Sequence, residues 1–176
     1  LSDWLSKLLS NYNVTDSPII HGQVHETAII SGAVYIAEDS VVEPHAYIKG
    51  PTYIGPGAEI RHSAYIRGHT YIGPNCVVGH TTEVKGSCLL DHAKASHFAY
   101  IGDSILCPNV NLGAGTKIAN LKLNKTTVSY KDPQSGERIK SGLKKWGAIL
   151  GENVQTGCNS VISPGSLILP SYKVMP

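Results

Sequence analysis

The chain has 176 residues, enough for one domain with a sizeable core, and 41% of them are hydrophobic, which excludes a disordered chain. A formal net charge of +2 does not point to a nucleic-acid partner, so any cationic site must be local. No apolar run approaches the roughly 18–20 residues of a membrane span and no signal peptide is visible, so a cytoplasmic protein without a membrane partner is expected.

Residues 1–18 read as an N-terminal element. Trp4, Leu5, Leu8 and Leu9 fit one face of a short helix, which Pro18 ends. Such a helix is expected to cap the open end of whatever follows, or to be the remnant of a linker. Residues 19–176 form the second unit. Val24, Ile30, Ile36, Val42, Ile48, Ile54, Ile60, Ile66, Ile72, Val78, Val84 and Leu90 recur every six positions. Two residues before them runs a column of small or β-branched residues, among them Ala46, Thr52, Ala58, Ala64, Thr70, Cys76 and Cys88. A helix needs a period of 3.6 and a half-buried strand a period of two, so neither explains the pattern. A parallel β-solenoid does. Each hexad makes one short strand and one corner, three hexads make one coil, and coils stack at about 4.8 Å.

The coil period stacks Lys49, Arg67 and Lys85 on one edge. Stacked like charges repel, and an anion bridging them would relieve that; Glu83 could also neutralise part of the column. His62 and His80 also stack, as a surface pair. The register slips after Leu90, and Asp91–Tyr100 reads as a short, His-rich interruption containing His92 and His97. The pattern resumes at Leu106, Leu112 and Ile118 and again from Leu150. Between them, about 121–145, Asp-Pro, Ser-Gly and many charges predict a loop or hairpin leaving the prism, mobile or ordered by a partner. The four cysteines form no CxxC pair and no zinc spacing, so they read as reduced structural thiols.

The stretch HFAYIGD, followed by NVNLGAG and a later Asn, resembles the C-terminal domain of the bacterial bifunctional glucosamine-1-phosphate acetyltransferase/N-acetylglucosamine-1-phosphate uridyltransferase family. The resemblance reaches from about Val41 to Gly165 and leaves no room for a nucleotidyltransferase domain. It implies an all-β, left-handed parallel β-helix of hexapeptide repeats. It implies acetyl-CoA as acyl donor, an amino-sugar phosphate such as glucosamine-1-phosphate as acceptor, and a homotrimer with sites between prisms. No metal is needed for that transfer. By the same resemblance His97 is the general base, and Arg67, Lys85, Tyr100, Asn111 and Asn120 bind the substrate. Ala114 and Cys158 lie where acetyl-CoA is met, Cys158 standing where the family has Ser. After Asn120 the family's Tyr-Asp-Gly and substrate-holding Lys are replaced by Leu121-Lys122-Leu123, with Lys122 or Lys125 as substitutes.

Two other classes share these features. A noncatalytic sugar-phosphate-binding or scaffold protein would keep the prism without turnover. A γ-type carbonic anhydrase shares the fold, and His92 and His97 superficially match its histidine spacing, although they sit in the acetyltransferase motif.

Overall fold

The computed structural model describes residues 2–176. Three parallel sheets form the sides of a prism, with eight, eight and seven strands. Side one runs from Ile19–Ile20 to Ser166–Ile168, side two from Gln23–Val24 to Lys173–Val174, and side three from Ile29–Ser31 to Val161–Ile162. Each strand pairs with its counterpart one coil on, as Ile48 does with Ile66 and Ile66 with Val84. The architecture is the left-handed parallel β-helix of the hexapeptide repeats. Ile36, Ile48, Ile54, Ile60, Ile66 and Ile72 are all fully buried in the interior. Each such side chain contributes roughly 1.5–3 kcal/mol relative to exposure.

The corners explain the polar residues between the aliphatics. Asp39, Asn75, His92, Asn109 and Asn153 turn one corner with positive φ, a conformation that short polar side chains tolerate. The next corner is turned by His45, Ser63, Thr81, Phe98 and Asn159. Thr81 (φ 50°) and Phe98 (φ 34°) are branched or bulky and resist this region.

The register departs from the six-residue count earlier than expected. Leu89, not Leu90, fills the interior column, opposite Ile72 on one side and Leu106 on the other. Ala95 and Ile101 continue the core, opposite Val78 and Val84. Asp91–Tyr100 is therefore a regular part of the solenoid. Two successive corners leading into side one, between Val84 and Leu89 and between Ile101 and Leu106, are each one residue short, so equivalent positions are 17 apart on all three sides here, as with Ile72 and Leu89 or Glu83 and Tyr100. Buried serines absorb the shortening. Ser104 N–H donates to Ser87 Oγ (3.0 Å), Ala148 N–H donates to Ser104 Oγ (3.1 Å), and Ser104 Oγ donates to Gly102 O (2.7 Å). Ser87 thus takes the interior place that the hexad count assigns to Cys88. Cys88 instead lies on the outer face, opposite Tyr71. Cys76 does sit inside, fully buried.

The N-terminal helix, α1 (Ser2–Asn11), does not cap the open end. It lies along the outside of side one. Leu5 and Leu9 are buried there against Tyr53, with Tyr35 and Tyr71 at the margin. Those three tyrosines stack at 5.2–5.3 Å, and Tyr12 and Trp4 pack on the strip near its two ends. The hexad pattern concerns inward residues only, so this outward aromatic strip escapes it. A long apolar strip matches the stripe of an amphipathic helix better than the short end of a prism does.

The chain leaves the prism at Asn120 and returns at Trp146, whose N–H donates to Asn120 O (2.9 Å). Between them Ser129–Lys131 and Arg138–Lys140 form an antiparallel hairpin. Its base is packed against the prism. Val128 is fully buried, and the Tyr130 ring meets Trp146 edge-on at 5.2 Å. A Cβ on Gly165 would collide with Ser129 O and Val128, so the hairpin rests directly on the following coil. Lys131, Lys140, Lys144 and Lys145 face solvent.

Candidate active site

His97 ends the strand Lys94–His97 on side two, opposite His80. Backbone hydrogen bonds tie this corner from coil to coil. Thr81 N–H donates to His62 O (3.1 Å), Phe98 N–H to His80 O (2.9 Å), Gly115 N–H to His97 O (3.1 Å) and Asn159 N–H to Ala114 O (2.7 Å). His62, His80, His97, Ala114 and Cys158 therefore form one ridge between sides two and three. Three of the positions selected by motif, His97, Ala114 and Cys158, come together here. The three imidazoles are exposed, as is the Cys158 thiol.

Beside the ridge, on the face of side three, lies a cavity of about 400 Å³. Glu83, Phe98, Tyr100, Lys117, Asn120 and Leu121 are among its walls. Glu83, Tyr100 and Lys117 are consecutive outward residues of one column. Tyr100 and Asn120 are thus brought together. Leu121, the first residue of the excursion, closes the cavity from the far corner. Thr81 and Phe98, the two residues in disfavoured backbone conformations, also line it, and such strain persists where the surroundings over-determine it.

Arg67 and Lys85 stack with Lys49 as the coil period requires, but the column is not bare. Arg67 Nη1 lies 2.7 Å from Glu83 Oε1, which holds the guanidinium charged above its ordinary range. The same guanidinium sits over the Tyr65 ring at 5.9 Å. Lys85 Nζ lies 2.7 and 3.0 Å from the two oxygens of Asp103. Asp103 also accepts from Asn120 Nδ2 at 2.5 Å, so one carboxylate joins two residues that the motif selects. Cations one strand spacing apart repel, and these carboxylates offset that repulsion without a bound anion.

Asn111 is not part of this cluster. It faces outward on side two, opposite Lys94 and Gln155. Lys122 does not reach the cavity either, because its Nζ donates to Thr127 O (2.9 Å) within the excursion. His92 turns the corner before the strand Lys94–His97, and His97 ends that strand, so the pair does not converge as the anhydrase spacing requires. Among the described residues no group of three His, Cys, Asp or Glu could hold a metal ion, and no helix is long and apolar enough to cross a membrane. Sequence reasoning missed Lys117, Phe98 and Asp103. The signal that finds Lys117 is the 17-residue spacing it shares with Tyr100 and Glu83, invisible to a count of six.

The fold defines a hexapeptide-repeat β-helix domain. The chain belongs to the GMPPB C-terminal domain family, whose model matches residues 48–175. It is 40% identical over 155 residues to the bifunctional sugar-1-phosphate nucleotidylyltransferase/acetyltransferase of Sulfurisphaera tokodaii, covering 88% of this chain and 38% of that one. It is 38% identical over 146 residues to the bifunctional protein GlmU of Methanococcus aeolicus, covering 83% and 35%. The chain thus spans little more than a third of these relatives. A hexapeptide transferase family protein from Anaplasma phagocytophilum has the same fold, with a TM-score of 0.50 at 15% identity, covering 92% of this chain and 76% of the other.

Proposed function

We propose that this β-helix is the N-acetyltransferase part of a sugar-nucleotide-forming enzyme, moving an acetyl group from acetyl-CoA to the amine of an amino-sugar phosphate such as glucosamine-1-phosphate. The observation that carries this reading is the ridge. His97, Ala114 and Cys158 stand in one line, beside a cavity that already holds Tyr100 and Asn120. The name of the Sulfurisphaera tokodaii relative, which includes an acetyltransferase, supports it.

In this reading acetyl-CoA supplies a thioester carbonyl. His97, exposed and with no carboxylate partner among the described residues, takes the proton that the sugar amine sheds as it attacks. Imidazole suits the task because its ordinary pKa lies near neutrality. Tyr100 and Asn120 position the sugar, while Arg67 and Lys85 exchange their carboxylate partners for the sugar phosphate. The cavity is open on one side of a single prism, and a second and third copy would complete it as a homotrimer. The test is release of free CoA thiol in the presence of acetyl-CoA and a panel of amino-sugar phosphates. Acetylation of glucosamine-1-phosphate supports the reading. Binding of the sugar phosphate without turnover moves the protein to the noncatalytic class.

A further inference from the structure

The excursion carries a charge that the proposed site does not use. The 26 residues from Leu121 to Trp146 hold seven of the fifteen Lys and Arg but only two of the thirteen Asp and Glu. The remainder of the chain is accordingly acidic. Asp132 is engaged within its own turn, accepting from Ser135 Oγ (2.7 Å) and from Gln134 N–H (3.1 Å). Among the described residues no cation of the excursion has a carboxylate partner.

Two of these cations converge. Lys122 Nζ and Arg138 Nη1 both approach the hydroxyl oxygen of Ser129, at 3.5 and 3.4 Å. A neutral hydroxyl offsets little of their repulsion. Ser129 and Arg138 also line a cavity of about 380 Å³ between the hairpin and the coil beneath it, with Lys131, Ser163 and Ser166. Pro164, Leu167 and Ile168 supply its apolar part, and among the described residues no carboxylate lines it. Its floor is firm, since Gly165 lets the hairpin sit directly on the prism. Cations and hydroxyls converging without a counter-charge are the donor set of a phosphate site.

We propose that this hairpin cavity binds the phosphate groups of a nucleotide-type ligand, and that in the acetyl-transfer reading, on which this assignment rests, the ligand is the coenzyme A of the acyl donor. The placement agrees. Cys158 on the ridge and Ser163 at the cavity flank the same strand of side three, five residues apart, which is at most roughly 16 Å at about 3.3 Å per residue. That span is comparable to an extended pantetheine arm. A donor anchored at the hairpin could therefore reach His97 across the face that bears Tyr100.

The two sources of phosphate, donor and sugar, separate in a titration. CoA, 3′-dephospho-CoA, inorganic pyrophosphate and glucosamine-1-phosphate are each titrated by calorimetry into the wild type, Arg138→Gln and Lys131→Gln. Both side chains are exposed, and melting temperatures confirm that the variants fold. The expected result is a loss of about tenfold or more in CoA affinity in each variant, with glucosamine-1-phosphate unchanged. Unaltered CoA affinity overturns the proposal, as does a loss confined to glucosamine-1-phosphate. Pyrophosphate binding that both variants weaken, in a protein that binds no CoA, keeps the phosphate site and rejects the acetyl-CoA reading. Tighter binding of a random RNA oligonucleotide than of any of these ligands, lost in the same variants, overturns the assignment to a nucleotide-sized ligand.

Discussion

His80 and His97 face each other across adjacent coils of side two, although the two lie 17 rather than 18 positions apart. The single-residue deficit is what places His97 on the ridge with His62 and His80, and Tyr100 directly after Glu83 on side three. A coil of 18 at this point would have put Phe98 in the place of His97.

That shortened side has a structural price in hydrogen bonding, which Ser87 and Ser104 meet. Ser104 is nearly fully buried, accepts from Ala148 N–H, and donates to Gly102 O. Ser104→Ala should leave the Ala148 N–H without an acceptor at the point where the chain rejoins the prism. The expected loss is about 1–3 kcal/mol, the scale of a buried polar group left unsatisfied. Urea unfolding of the two proteins measures it, and an unchanged midpoint would show that the backbone finds another partner.

Buried thiols set an alkaline limit on stability. Burial pushes the Cys76 thiol up to about 12 and the Cys88 thiol up to about 11, from an ordinary value of 9.0. The folded state therefore holds these protons more tightly than the unfolded chain does. The stabilisation is full below pH 9 and is lost as pH rises through the folded values. For Cys76 it amounts to at most about 4 kcal/mol over that window. Cys76→Ala should be less stable than the wild type at pH 7, through a lost packing group, yet should fall less steeply between pH 9 and 11. Parallel stability curves for the two proteins would exclude the thiol as the cause.

The period-six column makes the prism, its fully buried isoleucines and the stack of Lys49, Arg67 and Lys85 legible in the sequence. It could not locate the missing residue, because Leu89 and Leu90 are both apolar and either satisfies the pattern. Ala95 compounded this, since a small residue in an aliphatic column reads as a break. The helix was legible from Leu5 and Leu9, but not its berth, which depends on outward tyrosines that a period of inward residues ignores. His97, Ala114 and Cys158, selected by motif, fall on one ridge. Asn111 was selected by the same motif and faces another side. The pairing of Lys85 with Asp103 depends on a contact across coils, which neighbours in sequence do not reveal.

Glu83 sits between the column and the cavity, and its charge competes with that of any bound phosphate. Removing it in Glu83→Gln leaves Arg67 without its carboxylate while keeping the shape of the side chain. Affinity for glucosamine-1-phosphate should rise severalfold and become more salt-dependent, because the pair is exposed and its own contribution is about 1 kcal/mol or less. Arg67→Ala should weaken the same affinity by about 1.5–3 kcal/mol, as for a charged hydrogen bond. Calorimetric titration at two salt concentrations checks both. Equal affinities in all three proteins would remove Arg67 from the substrate site.

The last prediction separates His97 from its neighbours on the ridge. His62, His80 and His97 are chemically alike and all exposed, but only His97 adjoins the strand that carries Tyr100 and shares its coil with Phe98. If His97 is the general base, His97→Gln should lower kcat for acetyl transfer by roughly two to four orders of magnitude, with KM for both substrates changed little. His80→Gln should change kcat by less than about threefold, since His80 lies one coil away and borders Phe98 by its ring, 6.2 Å between centroids. Steady-state kinetics on the three proteins at one pH distinguishes the cases. A kcat that survives the loss of His97, or that falls as far in His80→Gln, would assign the proton transfer to a different residue of the ridge.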